Sequence, residues 1–125
     1  MIPGFKAATL SEKELEHKAY ELLKKLGIEQ LATKMANQIS GGEKQRVAFI
    51  RALISSRNCD LILLDEPFSA LDKDIKNTAL ALLCDSKKDK LIFLITHDIN
   101  ELYQYANNIL LITSIFNAIF ISVEK

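Results

Sequence analysis

Leu61-Ile-Leu-Leu64 runs without a break into Asp65-Glu66. Four consecutive apolar residues predict a buried strand, and the two carboxylates stand where that strand ends. In open α/β sheets ligands bind beyond the carboxyl ends of strands, so both acids would face a site. One carboxylate there can hold Mg²⁺, usually with waters kept in its shell. The other can orient and deprotonate an attacking water. Taken alone the pattern is weak, because apolar strands also end in acids for structural reasons.

Two further groups narrow the chemistry. Leu94-Ile-Thr-His97-Asp98 closes a second apolar run, Leu91–Ile95. A helix crossing between the two runs would make the strands parallel, which puts His97 on the same edge as Glu66. A histidine so placed can bond a γ-phosphate oxygen or the attacking water, and the plainer alternative is a helix-capping or surface histidine. The third group, Ile39-Ser40-Gly41-Gly42-Glu43, opens a helix with two glycines. Bare backbone N–H groups and the Ser40 hydroxyl at a helix N-terminus make an anion site with little steric shield. The alternative is an ordinary capped helix, in which one glycine is surplus.

The elements that must position these groups are legible. Ser11 and Glu14 form a capping box. Leu15, Ala19, Leu22, Leu23 and Leu26 then repeat at helical spacing up to Gly27, a natural C-cap. Glu14–Lys18 and Glu21–Lys25 are expected as i,i+4 pairs on the outer face, and His17 as a solvated surface residue. A shorter helical piece is expected from about Glu29 to Ala36. Ser40 and Glu43 make a second capping box, opening a helix to about Ser55. Ile75, Ala79, Leu82 and Leu83 mark a helix between the two apolar runs, predicting a parallel strand–helix–strand unit buried on both faces. A short helix carries Ile99, Leu102 and Ala106. Ile109–Thr113 and Ala118–Val123 predict a hairpin across Ser114-Ile-Phe-Asn117.

Sixteen basic and sixteen acidic residues cancel, so nothing suggests the clustered basic face that nucleic acid would require. Cys59 and Cys84 fit no metal-ligand spacing and no disulfide framework, as expected of two reduced cytosolic thiols. The first residues do not form a signal peptide. The most apolar stretch, Ile109 to Val123, is interrupted by Thr113, Ser114 and Asn117 and falls short of the ~20 residues a membrane helix needs. The chain is expected to be cytosolic in itself, with any membrane contact made through a partner.

The three groups together, in this order and spacing, are far more specific than any one. Ser40-Gly-Gly-Glu43 with Gln45-Arg46-Val47-Ala48 and Arg51-Ala52-Leu53 resembles the signature motif and helix of ATP-binding cassette (ABC) transporters. Leu61–Glu66 resembles their Walker B strand, Ser69-Ala-Leu-Asp72 the D-loop, and His97 the switch histidine. The resemblance extends from about residue 11 to 113. It implies an α/β, P-loop NTPase-like cassette in part: a helical subdomain portion over residues 1–56, then part of a parallel-sheet catalytic core over 57–125. It also implies an ATP hydrolase using ATP and Mg²⁺. Asp65 would serve Mg²⁺, Glu66 would be the general base, and His97 would sense the γ-phosphate. Asp72 would signal across a dimer interface. Ser40, Gly41 and Gly42, with Glu43, would meet ATP held by a second, head-to-tail nucleotide-binding subunit, and transmembrane permease subunits would be the other partners.

One part of the family pattern is missing. A phosphate-binding loop GxxxxGK[ST] needs a Gly-Lys pair, and none of Gly4, Gly27, Gly41 and Gly42 is followed by lysine. Residues 1–10 are expected to belong to the helical subdomain, and the last residues depart from the family's glycine-containing terminal hairpin. A fragment is favoured over a working half that pairs with a separate loop-bearing chain. Two alternatives remain for function. A non-transport ABC ATPase also carries Ser-Gly-Gly-Glu-Lys, although Gln45-Arg46-Val47 and Glu66-Pro67-Phe68-Ser69 are transporter-like. A catalytically dead module that docks on another cassette is the other.

Overall fold

The computed structural model describes residues 10–34, 36–86, 90–114 and 117–123. The expectation for residues 1–10 therefore falls almost entirely outside the described residues, as do Ile115 and Phe116 of the expected hairpin turn. The chain divides into two compact units, one running to Leu94 and the other from Ile95 onward.

The first unit opens with α1, Glu12–Lys25. Ser11 caps it in a reciprocal box: the Glu14 N–H donates to Ser11 Oγ at 3.3 Å, and the Ser11 N–H donates to Glu14 Oε2 at 2.7 Å. Gly27 ends it at φ 69°, a left-handed conformation that only glycine adopts cheaply. The two expected ion pairs on α1 are replaced. Glu14 is drawn back to the cap, and Glu21 pairs at 3.3 Å with His17, which is exposed as expected. The short helical piece is two 3₁₀ turns, Glu29–Thr33 and Ala36–Gln38.

Helix α2, Gly41–Ser55, follows its own capping box, and strand β1 spans Leu61–Asp65. Helix α3, Lys73–Asp85, leads to strand β2, Leu91–Ile95. The two strands form one sheet. The Leu91 N–H donates to the Asp60 carbonyl at 2.8 Å, so the strand starts lie side by side and the pair is parallel. Lys90 Nζ donates to the Ser56 carbonyl, pinning the approach to β2 to the end of α2. The core joins Leu22, Leu26, Ile28 and Leu31 with Phe49, Ile50, Ile62, Leu64, Phe68, Ala79, Leu80 and Leu83.

Burial of the sheet on both faces is not what the structure shows. Ile62 and Leu64 are buried, whereas Leu61 and Leu63 are 53% and 66% exposed, and Leu91 and Phe93 are 59% and 53% exposed. Alternate side chains of a strand point to opposite faces. The helices of this unit cover one face, and the described residues leave the other open.

In the second unit α4, Ile99–Tyr105, precedes an antiparallel hairpin of β3, Asn108–Ser114, and β4, Asn117–Ser122. The register runs from Asn108 opposite Ser122 to Ile112 opposite Ala118, with an irregularity between Ile112 and Ser114. Ile109 is buried while Leu110, Ile112 and Phe120 are exposed. No helix among the described residues is long and apolar enough to cross a membrane.

Candidate functional site

One stripe of α2 holds the turn that carries the candidate residues of the first unit. Gly42, Gln45 and Phe49 recur at i, i+3 and i+7, which places them on one helix face. That face meets the turn following β1. A Cβ on Gly42 would stand 3.2 Å from the Ala70 carbonyl oxygen, so any larger residue would have to press on the turn. Gln45 uses both ends of its amide: Nε2 donates to the Glu66 carbonyl at 3.1 Å and to Ser69 Oγ at 3.0 Å, and Oε1 accepts from the Ala70 N–H at 2.9 Å. Phe49 packs edge-to-face on Phe68 with ring centroids 5.0 Å apart. The next residue, Arg46, reaches the other way and donates to the Leu26 carbonyl at the end of α1, at 3.0 Å.

Gly41 differs from its neighbour. A Cβ there would meet nothing within 4 Å, the residue is exposed, and its φ is not positive. Nothing in the packing of this chain calls for glycine at that position. Ser40 and Glu43 are spent largely on each other. The Glu43 N–H donates to Ser40 Oγ at 3.2 Å, and the Ser40 N–H donates to Glu43 Oε2 at 3.0 Å. The Ser40 hydroxyl proton is still available for an outside acceptor.

At the end of β1, Asp65 is exposed and Glu66 is half-buried. Asp65 shares strand parity with Leu61 and Leu63, so it stands on the open face of the sheet. Glu66 has φ 45°, the one positive value outside glycine among the described residues. A left-handed conformation at a residue with a side chain costs about 1–3 kcal/mol and persists only where the surroundings enforce it. A cleft of about 250 Å³ lies beside this turn, with Gln45, Phe49, Leu63, Asp65, Glu66 and Pro67 in its wall.

The structure gives Asp72 a role the sequence did not disclose. It caps α3, accepting from the Ile75 N–H on Oδ1 at 3.0 Å. His97 belongs to the second unit, exposed and two residues beyond the end of β2, in a turn where the Asp98 N–H donates to Thr96 Oγ1 at 3.1 Å. The residue missed by sequence reasoning is Gln45, and the available signal was its spacing from Gly42 and Phe49. Among the described residues no group of three or more His, Cys, Asp or Glu side chains forms a metal cage. Mg²⁺ is commonly held by one or two carboxylates with phosphate oxygens and water completing its octahedron. The exposed Asp65 fits that pattern.

A parallel strand ending in two carboxylates, with a glycine-opened helix packed on the following turn, is the arrangement that places this chain in the α/β class. The comparisons give the family. The ABC transporter family model matches residues 3–69, and the chain belongs to that family as part of its ATP-binding domain. It is 38% identical over 113 residues to the taurine import ATP-binding protein of Shigella dysenteriae, a match covering 89% of this chain and 44% of that protein. It is 42% identical over 104 residues to the methionine import ATP-binding protein of Ligilactobacillus salivarius, covering 82% of this chain and 29% of that one. Among solved structures, it is similar to a dimeric bacterial ABC transporter cassette at TM-score 0.67 and 34% identity, over 84% of this chain and 45% of that chain. The ADP- and Pi-bound post-hydrolysis state of the same cassette matches equally well. The fold is therefore that of the P-loop NTPase-type cassette. The chain spans about half the length, or less, of the curated relatives it matches.

Proposed function

We propose that this chain supplies the signature-helix and carboxylate half of an ABC cassette whose ATP hydrolysis powers solute transport. It would act on the cytoplasmic face of a membrane through permease subunits. Residues 1–56 act as part of the helical subdomain and 57–125 as part of the catalytic core. Glu66 orients and deprotonates the attacking water, and Asp65 would help hold Mg²⁺. Mg²⁺, when bound, neutralises charge on the β- and γ-phosphates. His97 bonds the γ-phosphate, and Asp72 stands at the interface with a second cassette. Ser40, Gly41 and Gly42, with Glu43 holding the cap, present the N-terminus of α2 to ATP carried by that second cassette.

The observation that carries this reading is Gly41. Glycine is a weaker helix former than alanine, and neither packing nor a positive φ at this position calls for it. A helix N-terminus that must admit a bulky anion explains the missing side chain. The names of the relatives support the direction: several are import ATP-binding proteins.

The test is complementation. A separate chain carrying a GxxxxGK[ST] loop, corresponding to the part of the relatives not spanned here, is mixed with this one. ATP hydrolysis is expected on mixing and absent from either chain alone. Association without hydrolysis would leave the docking module as the surviving account, and neither would refute the assignment.

A further inference from the structure

We propose that Gln45 is a positioning residue. It fixes the turn that carries Glu66 and so ties the direction of that carboxylate to the glycine-opened start of α2. The proposal rests on the reading of Glu66 as the base.

Three observations converge. Glu66 sits at φ 45°, a conformation that a residue with a side chain does not hold unaided. The turn after it is gripped at three points by a single amide, which donates to the Glu66 carbonyl and the Ser69 hydroxyl and accepts from the Ala70 N–H. The same face of α2 also meets this turn at Gly42, where an added Cβ would lie 3.2 Å from the Ala70 carbonyl oxygen, and through the Phe49–Phe68 ring pair. Helix and turn therefore cannot shift independently. A displacement of the α2 start, where an anion on a second cassette would press, passes through Gln45 to the backbone of Glu66. Arg46 anchors the same stretch of helix to the Leu26 carbonyl, so the lever has a fixed point on α1.

Both ends of the amide matter, which makes the variants informative. Gln45→Met keeps length and loses all three bonds. Gln45→Glu keeps an acceptor for the Ala70 N–H and loses both donors. In the intact chain, amide hydrogen exchange at Ala70 should quicken about fivefold or more in Gln45→Met, the worth of one intramolecular hydrogen bond. Acceleration should be smaller in Gln45→Glu, which keeps an acceptor for the Ala70 N–H but sets a carboxylate oxygen against the Glu66 carbonyl. Unchanged exchange at Ala70 in Gln45→Met, or equal acceleration throughout the chain, would overturn the proposal.

With the loop-bearing chain supplied, Gln45→Met should lower kcat about tenfold or more with KM kept, the pattern of a misdirected base. A raised KM with kcat kept would overturn the proposal. Should the wild-type mixture bind ATP yet hydrolyse none, the assignment of Glu66 fails. The exchange result at Ala70 then still decides whether Gln45 holds the turn.

Discussion

Glu66 and Asp65 are adjacent in sequence but occupy different surroundings, one half-buried in a left-handed turn and the other exposed on a bare sheet face. Environment distinguishes two like side chains, and the roles proposed for them differ accordingly. In the complemented assembly Glu66→Gln keeps the shape and removes the base. Turnover should fall about 10²–10⁴-fold with ATP binding retained, and a variant that turns over normally would exclude Glu66 as the base. The two glycines should also part company. Gly41→Ala gains helix propensity without a clash, whereas Gly42→Ala sets a Cβ against the Ala70 carbonyl. Gly41→Ala should therefore have the higher urea midpoint and yet weaken ATP-dependent pairing of cassettes; the reverse order of midpoints would contradict the packing. Gly41→Asp is accordingly a cleaner probe of anion approach than Gly42→Asp, which also disturbs the turn. The acids and glycines were legible in the sequence because each motif is contiguous. Gln45 was not, because its partners lie 21 to 25 residues away and only folding brings them together.

The helices were read nearly to their ends because caps are local chemistry. Both capping boxes formed as the spacing of Ser11 with Glu14 and Ser40 with Glu43 predicted. The strands were placed correctly, but their burial was misjudged, since an apolar run reports what a face could bury and not what is present to cover it. The α1 cap has a pH consequence. The Ser11 backbone N–H, and after it the Ser11 hydroxyl, hold the Glu14 carboxyl below its usual value. A depressed value means the charged form favours the folded cap. The stabilisation is complete above the usual carboxylate range and is lost as pH falls through the lowered value. Wild-type helicity by circular dichroism should fall more steeply with acid than that of Glu14→Gln, which has no proton to take up; parallel curves would contradict this. At the other end of α1, Gly27→Ala should destabilise by about 1 kcal/mol. The cost comes from backbone conformation, because the new Cβ would lie an ordinary 3.8 Å from Ile75 Cδ1. An unchanged denaturation midpoint would argue against the left-handed cap.

At the scale of the molecule, the open face of Leu61, Leu63, Leu91 and Phe93 dominates. Parallel sheets are covered on both faces almost without exception, and a bare apolar face invites association. The chain alone should self-associate, and Leu63→Ser with Phe93→Ser should reduce this in sedimentation without lowering the melting temperature. A monodisperse wild-type monomer would contradict it. The face ends in Asp65, since Leu61, Leu63 and Asp65 alternate along one side of β1. A cover laid over the leucines would reach the neighbourhood of Asp65, the proposed metal ligand. Cover and ion would then be thermodynamically linked, each changing the apparent affinity of the other by the same factor. The melting temperature of the mixed halves would rise with free Mg²⁺ and nucleotide by mass action, so assembly of the cassette would itself report on the cell's supply of its fuel.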